Sequence, residues 1–320
     1  MKLIIQIPCL NEEKTLESVI SGIPKKIKGI SKIETLIIDD GSTDKTIEKA
    51  KELGVNHILK NPRNLGLART FSRGMDECLR LGADIIVNTD GDNQYPSPDI
   101  DKLVAPIIEG EADIVIGNRG GMDNPHFSYF KKNLQVFGSK AISTLVGLDI
   151  PDAVSGFRAI SKSAAQELHI LTNFSYTIEM LVQAGARKLR VKSIDIKTNE
   201  HTRESRLFKS VPYFIKMSVT TLFRVQTMYR PLHVFGLTGA CLCIVGSIPI
   251  IRFIFDYLMG DGSGHIQSLV LAGALVMLGC LTISMGVLAD IIAFNRKLSE
   301  RILKRLAIIE DEIKSLNHKK

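Results

Sequence analysis

Asp90 and Asp92 stand one residue apart in VNTDGDNQYPSPDI (residues 87–100), where the apolar run ADIIVN gives way to a polar loop. Carboxylates at such a place do one of two kinds of chemistry. They hydrogen-bond the base or ribose of a nucleotide, or they hold a divalent cation that in turn takes up phosphate oxygens. Hard oxygen donors such as the Asp92 carboxylate and the Gln94 amide suit Mg2+ or Mn2+, which keep room for substrate oxygens. The same residues also favour a turn stabilised by its own backbone, and on this stretch alone the two readings stand level. No GxGxxG follows the first apolar run and no GxxxxGKS occurs anywhere, so glycine-built phosphate loops are excluded.

Positioning those carboxylates requires a scaffold, and the chain alternates two periodicities. LIIQIP, ETLIIDD, NHILKN, ADIIVNTD and ADIVIGNR read as strands. Helical runs lie between them, from Glu12 to Lys28, Asp44 to Leu53, Leu67 to Leu81 and Ile100 to Glu109, and a longer one leads toward Leu145. Continuous apolar strands separated by helices predict an α/β fold with a mostly parallel sheet covered on both faces. Ligands of such sheets bind beyond the carboxyl ends of the strands. Three of those ends carry polar chemistry: IPCLNEE, IIDDGSTD and VNTDGDNQ.

Together with IPCLNEEKTL, LIIDDGSTDKT, NPRNLGLARTFSRGM, ADIVIGNR, DAVSGFRA and NEHTRESRL, this pattern resembles the inverting family-two glycosyltransferases of GT-A fold. The similar subgroup contains dolichyl-phosphate mannose synthase and polyprenyl-phosphate glycosyltransferases, some with two C-terminal transmembrane helices. The resemblance covers essentially all of residues 1–210. It implies that Pro8, Asn11 and Glu12 line the nucleotide pocket, that Asp39 and Asp40 grip base and ribose, and that Asp90 lies beside the donor. Asp92 and Gln94 would hold the Mg2+ or Mn2+ that bridges the diphosphate. Leu10 stands where family members commonly have Tyr, so base stacking from that position is not expected.

A lipid phosphate approaching an anionic donor needs cations to neutralise and orient it. The basic candidates are Arg119, Lys131, Lys132, Arg158 in SGFR, and Arg203 with Arg206. Arg119 and Arg203 match acceptor-site motifs of the family, with Lys132, Ser155 and Ser205 expected to complete the phosphate site; Asp152 is expected to order its loop. The catalytic set so implied is Asp90, Asp92, Arg119 and Arg203. A phosphate acceptor is already ionised near neutral pH and demands no strong general base. The expected reaction is in-line displacement with inversion, from an α-linked nucleotide sugar to a β-linked polyprenyl-phosphate sugar, with a UDP-hexose slightly ahead of GDP-mannose as donor. A glycolipid hydroxyl acceptor would need a base, for which Asp90 and Asp152 are the candidates; a non-catalytic nucleotide-sugar-binding scaffold is the other alternative.

The last third changes character. Pro231–Ile251 and Gly262–Ala289 contain no Lys, Arg, Asp or Glu, and each reaches the roughly 20 residues that cross a bilayer core as a helix. Arg224 and Arg230 precede the first stretch and Arg296, Lys297, Arg301, Lys304 and Arg305 follow the second, whereas the connector DYLMGDGSGH has neither Lys nor Arg. The positive-inside rule then places both termini in the cytoplasm of a plasma or equivalent membrane, and Arg252 is expected to snorkel with Asp256 one turn away. The domains expected are 1–206, the cytoplasmic catalytic domain; 207–230, amphipathic helices in the headgroup layer; 231–294, two spans at about 232–255 and 266–290; and 295–320, a charged helical tail. In that tail Ile302, Leu306, Ile309, Ile313 and Leu316 repeat with heptad spacing, which is compatible with a homo-oligomer but short for a coiled coil.

The formal net charge of +7 fits an anionic membrane surface, and no basic stripe interleaved with aromatics marks a nucleic-acid binder. The five cysteines are scattered without a CxxC pair, which excludes a thiol or zinc framework. The absence of any Trp excludes the QxxRW motif of processive polysaccharide synthases. Two spans without intramembrane repeats give no transport pathway.

Overall fold

A computed structural model describes residues 1–120, 138–140, 142–144, 146–170, 176–199, 216, 219–220, 223–224, 226–228, 231–260 and 266–317. The chain divides into two compact units, Met1–Leu222 and Phe223–Lys320.

The first unit begins with strand β1 (Lys2–Cys9), helix α1 (Leu16–Ser21), β2 (Lys32–Asp39), α2 (Thr46–Glu52), β3 (His57–Lys60), α3 (Leu67–Arg80) and β4 (Ile85–Asn88). A single 3-10 turn at Ser97–Asp99 leads into α4 (Ile100–Ile108), followed by β5 (Ile114–Asn118). After the loop 152–157 come β6 (Arg158–Ser161), α5 (Lys162–Glu167), α6 (Tyr176–Arg187) and β7 (Val191–Asp195). Among the described residues the strands form one sheet in the order β3-β2-β1-β4-β6-β5-β7. Only β6 runs antiparallel, wedged between β4 and β5.

β1, β2, β4 and β5 are buried along most of their length, as continuous apolar strands under two helical layers must be. The expected mostly parallel α/β sheet is therefore present. Its register aligns the strand ends: Cys9 lies beside Asp39, and Gln6 beside Asn88 two residues before Asp90. α3 buries Ala68, Phe71, Met75 and Cys78, one helical stripe. Gly74 lets that stripe settle on the sheet, since a Cβ there would come within 2.5 Å of Gln6 Oε1 and 2.8 Å of Ile38 Cδ1.

Two expectations about elements need correction. The amphipathic run from Glu12 to Lys28 yields a helix only over Leu16–Ser21, because Gly22 caps it and Pro24 cannot extend it. β6 and β7 escape a reading based on apolar runs: β6 opens on a charged residue, and β7, VKSID, is only partly buried.

The second unit contains α7 (Pro231–Leu258) and α8 (Ile266–Asn317). Pro231–Leu258 and Ile266–Arg296 are both long and apolar enough to cross a membrane. Their large side chains, Leu237, Ile244, Ile248, Leu271 and Leu288 among them, face outward, while the contact between them is built from small residues. A Cβ on Gly239 would come within 2.6 Å of the Gly279 carbonyl, one on Gly246 within 2.9 Å of the Ala272 carbonyl, and one on Gly286 within 2.9 Å of Phe235 Cβ. Gly239 and Gly246 are seven residues apart, as are Ala272, Gly279 and Gly286, so each small face recurs every two turns and the backbones approach closely along the pair. Arg252 Nε lies 3.6 Å from Asp256 Oδ2, the pairing their spacing suggests.

Candidate active site

The carboxyl ends of β1, β2 and β4 are tied into one edifice by polar contacts between their loops. Asn11 adopts a left-handed backbone, φ 54°; its N–H donates to Ser42 Oγ at 2.9 Å and its Oδ1 accepts from the Thr43 N–H at 2.7 Å. The Glu12 N–H donates to Thr46 Oγ1 at 2.9 Å, and the Glu13 N–H to Asp44 Oδ2 at 3.2 Å. Thr15 Oγ1 donates to the Gly91 carbonyl at 2.7 Å, which joins the β1 loop to the β4 loop. Gly91 packs tightly there, where a Cβ would meet Cys9 Sγ at 3.0 Å and Glu12 Cγ at 3.1 Å.

This convergence has an electrostatic signature. Burial pushes the Cys9 thiol well above its usual pKa, and the carboxylates of Glu12, Asp39, Asp90 and Asp44 push it the same way. Cys9 is thus an inert thiol inside an acidic ring. Pro8 is buried within β1 directly behind it.

The neighbouring aspartates at the end of β2 divide their work. Asp40 Oδ1 accepts from Asn61 Nδ2 at 2.7 Å and from the Leu65 N–H at 2.8 Å, and its Oδ2 accepts from the Gly66 N–H at 3.0 Å. It holds the loop 61–66, the turn of NPRNLG. Asp39 is fully buried; its Oδ1 accepts from the Ser42 N–H at 3.1 Å, while its Oδ2 has no hydrogen-bond partner among the described residues. A buried unpaired carboxylate oxygen is costly unless a donor arrives, and Asp39, unlike Asp40, keeps one such oxygen.

The turn reading of the DGDNQ stretch is realised: Asp92 Oδ1 accepts from the Gln94 N–H at 3.1 Å and Asn93 adopts φ 60°. Asn199 braces the turn from outside, its Nδ2 donating to the Asn93 carbonyl at 2.9 Å and its N–H to the Gln94 carbonyl at 3.0 Å. Among the described residues no group of three or more His, Cys, Asp or Glu side chains forms a closed metal site. Asp92 and Gln94 offer hard oxygens on a partly exposed turn, a donor set that fits Mg2+ or Mn2+, cations that take most of their ligands from water and substrate phosphate.

On the other side of Asp90 lies the loop 152–157. Asp152 is fully buried and holds Arg119 at two points, Nε to Oδ2 at 2.7 Å and Nη2 to Oδ1 at 2.9 Å. Burial opposes the Arg119 charge, but Tyr95 and Asp152 together raise its pKa, so it stays protonated. Arg158, named above among the acceptor candidates, is not available to a phosphate. It is fully buried, donating to the carbonyls of Ser155 (2.8 Å), Ala153 (2.8 Å) and Thr177 (2.9 Å). Burial pulls its pKa down to about 10, which leaves it charged at neutral pH. It pins the loop from beneath. Ser155 is buried beside it with an Oγ that has no partner among the described residues. Lys131, Lys132, Arg203, Ser205 and Arg206 lie outside the described residues.

The residues missed by sequence reasoning are Gln6, Asn88, Tyr95 and Tyr176, all buried. Gln6 Nε2 donates to Asn88 Oδ1 at 3.0 Å, and Asn88 Nδ2 donates to the Gly156 carbonyl at 2.8 Å and to Tyr176 Oη at 3.2 Å. For Gln6 and Asn88 the signal was in the sequence: an amide inside the apolar strand LIIQIP and another inside IIVN must find partners.

A glycosyl transferase family 2 model matches residues 4–169, more than half of the chain. The chain belongs to glycosyl transferase family 2. It is 31% identical over 217 residues to a UDP-N-acetylglucosamine–dolichyl-phosphate N-acetylglucosaminyltransferase of Methanococcus voltae, covering 60% of this chain and 83% of that one. It is also 31% identical over 199 residues to a dolichol-phosphate mannosyltransferase of Pyrococcus furiosus, covering 59% of this chain and 54% of that one. Among solved structures, glucosyl-3-phosphoglycerate synthase from Mycobacterium tuberculosis, crystallised with Mn2+, UDP and glucosyl-3-phosphoglycerate, superposes with a TM-score of 0.55 at 21% identity over 71% of this chain and 78% of that one. That likeness identifies the GT-A fold. This family 2 glycosyltransferase therefore carries its acidic loops on the fold that the strand order implies.

Proposed function

We propose that this glycosyltransferase moves a hexose from a nucleotide sugar to a polyprenyl phosphate with inversion, giving a lipid-phosphate-linked sugar. The observation that carries the reading is the meeting of two unlike surfaces at Asp90: the acidic loops after β1, β2 and β4 on one side, and the loop 152–157 with Arg119 on the other. Relatives named for dolichyl-phosphate acceptors support the choice of acceptor, and the two apolar helices support a membrane setting for it.

In this mechanism Asp39 receives donor groups of the base or ribose through its unpaired Oδ2, with Pro8, Asn11, Glu12 and Asp40 shaping that pocket. Asp90 meets the sugar end of the donor. Asp92 and Gln94 would hold Mg2+ or Mn2+, a cation that would supply positive charge toward the diphosphate of the donor. Arg119, Lys132, Ser155, Arg203 and Ser205 receive the acceptor phosphate. Its oxygen is ionised near neutral pH, so no side chain has to remove a proton; positioning and charge stabilisation carry the catalysis. The catalytic unit and both termini face the cytoplasm, where the basic flanks of the spans belong, and a UDP-hexose is slightly favoured over GDP-mannose.

The test is incubation of detergent-purified protein with polyprenyl phosphate, Mn2+ or Mg2+, and in turn UDP-glucose, UDP-N-acetylglucosamine and GDP-mannose, following lipid product by mass spectrometry and its anomeric configuration by NMR. A β-linked lipid phosphate from one donor is expected. A retained α-linkage contradicts inversion, and transfer to a lipid hydroxyl alone contradicts the phosphate acceptor.

A further inference from the structure

The Gly156 peptide is gripped from both sides beneath Asp90. Its carbonyl accepts from Asn88 Nδ2 at 2.8 Å, and its N–H donates to Tyr95 Oη at 2.9 Å. Asn88 is itself fixed by Gln6, and it also donates to Tyr176 Oη. Tyr176 cannot swing away, because its ring stacks on Phe71 of α3 with centroids 4.0 Å apart. Tyr95 stacks in the same manner on Phe157, at 5.2 Å.

What this brace touches is Asp90. A Cβ placed on Gly156 would lie 2.9 Å from Tyr176 Oη and 3.2 and 3.3 Å from the two Asp90 carboxylate oxygens. The hydroxyl and the carboxylate thus converge on one flank of Gly156, whose N–H and carbonyl are both hydrogen-bonded. In the Asn88 contact Tyr176 Oη accepts, and the Asp90 carboxylate lies on the same flank of Gly156. An amide in a central strand, two stacked phenols and a glycine with little room for a Cβ cooperate here, although none carries the charge usual in donor binding.

We propose that Tyr176 and Asn88 are positioning residues of the transferase: they hold the Gly156 peptide and the Tyr176 hydroxyl against the Asp90 carboxylate and so set the orientation in which Asp90 meets the sugar of the donor. The inference rests on the proposed function for the identity of the donor. It predicts an effect on the sugar and not on the nucleotide, since Asp39 and the loops after β1 and β2 do not pass through this brace.

Tyr176→Phe keeps the stack on Phe71 and removes only the hydroxyl. Titration calorimetry with Mn2+ would compare UDP with UDP-glucose and UDP-N-acetylglucosamine, and GDP with GDP-mannose, on full-length protein in detergent. Expected is a loss of about fivefold in affinity for the preferred nucleotide sugar, the size of the lost Asn88–Tyr176 hydrogen bond, with less than about a twofold change for its nucleoside diphosphate and a cooperative thermal transition that shows the variant folded. In an Asp90→Asn background Tyr176→Phe should then do nothing further, because residues acting through one another are not additive. Gly156→Ala, whose Cβ would press on both partners, should reproduce the selective loss and serves if the first variant folds poorly. Equal losses for both ligands, no loss in either variant, or full additivity with Asp90→Asn would overturn the inference while wild-type turnover upholds the proposed function. A wild type that binds none of these nucleotides overturns both.

Discussion

Arg119 and Asp152 meet at two points, 2.7 and 2.9 Å, and the Arg119 backbone N–H closes on the same Asp152 Oδ2 at 3.3 Å. The Asp152 side chain has no exposure and that of Arg119 only 10%. Charges this deep persist only as partners, because removing one leaves the other buried and uncompensated. Asp152→Asn is therefore expected to destabilise the first unit by about 3 kcal/mol, and to abolish transfer if Arg119 receives the acceptor. A denaturant midpoint equal to that of the wild type would show that the pair contributes nothing.

Glu34 gives the fold a definable acid limit. Burial would raise its pKa, but hydrogen bonds from Lys2, Lys32 and His57 outweigh burial and hold it at about 2, against 4.5 for the ordinary carboxyl. The distances are 2.8, 2.6 and 2.8 Å. A depressed folded pKa stabilises above the unfolded value and is lost as pH falls through the folded one, so the window runs from 4.5 down to about 2. Lys32 is exposed and its share is screened; Glu34→Gln should cost about 1 kcal/mol at pH 7. Thermal shift at pH 7 and pH 3 should find that difference shrinking at the lower pH. A difference constant with pH contradicts the assignment.

Close packing of α7 on α8 depends on absent side chains. A Cβ on Gly279 would sit 2.5 Å from Cys243 Sγ and 2.7 Å from the Gly239 carbonyl, and the second of these is backbone that cannot turn aside. Gly279→Leu should prise the pair apart and raise the labelling of half-buried Cys243 by a maleimide, counted by mass spectrometry at that residue. Labelling unchanged from the wild type would mean that the helices do not meet at this face.

The alternating apolar runs of residues 1–118 announced the parallel strands because burial on both faces leaves little choice of side chain. The acidic strand ends pointed to the candidate site for the opposite reason: nothing in a core favours Asp39, Asp90 or Asp92. Arg158 was misjudged because a charged residue reads as surface until its carbonyl partners are visible, and those lie at Ala153, Ser155 and Thr177. Asp40 looked like the twin of Asp39, and only the fold shows it occupied by Asn61, Leu65 and Gly66. Asn88 and Tyr176 are 88 positions apart; a pairing across that distance leaves no periodic trace. The small-residue repeat of Gly239 and Gly246 with Ala272, Gly279 and Gly286 was present in the sequence as a spacing of seven, but only two facing helices give it meaning.

In the proposed reaction the DGDNQ turn holds a cation on which transfer to a polyprenyl phosphate depends. The direct measurement compares lipid-linked sugar formed by wild-type protein and by Asp92→Ala, with Mn2+ and with EDTA, from the donor that the wild type prefers. Product is expected from the wild type with Mn2+, none with EDTA, and a loss of at least about a hundredfold in Asp92→Ala. Wild-type turnover undiminished by EDTA, or an Asp92→Ala variant as active as the wild type, would contradict it.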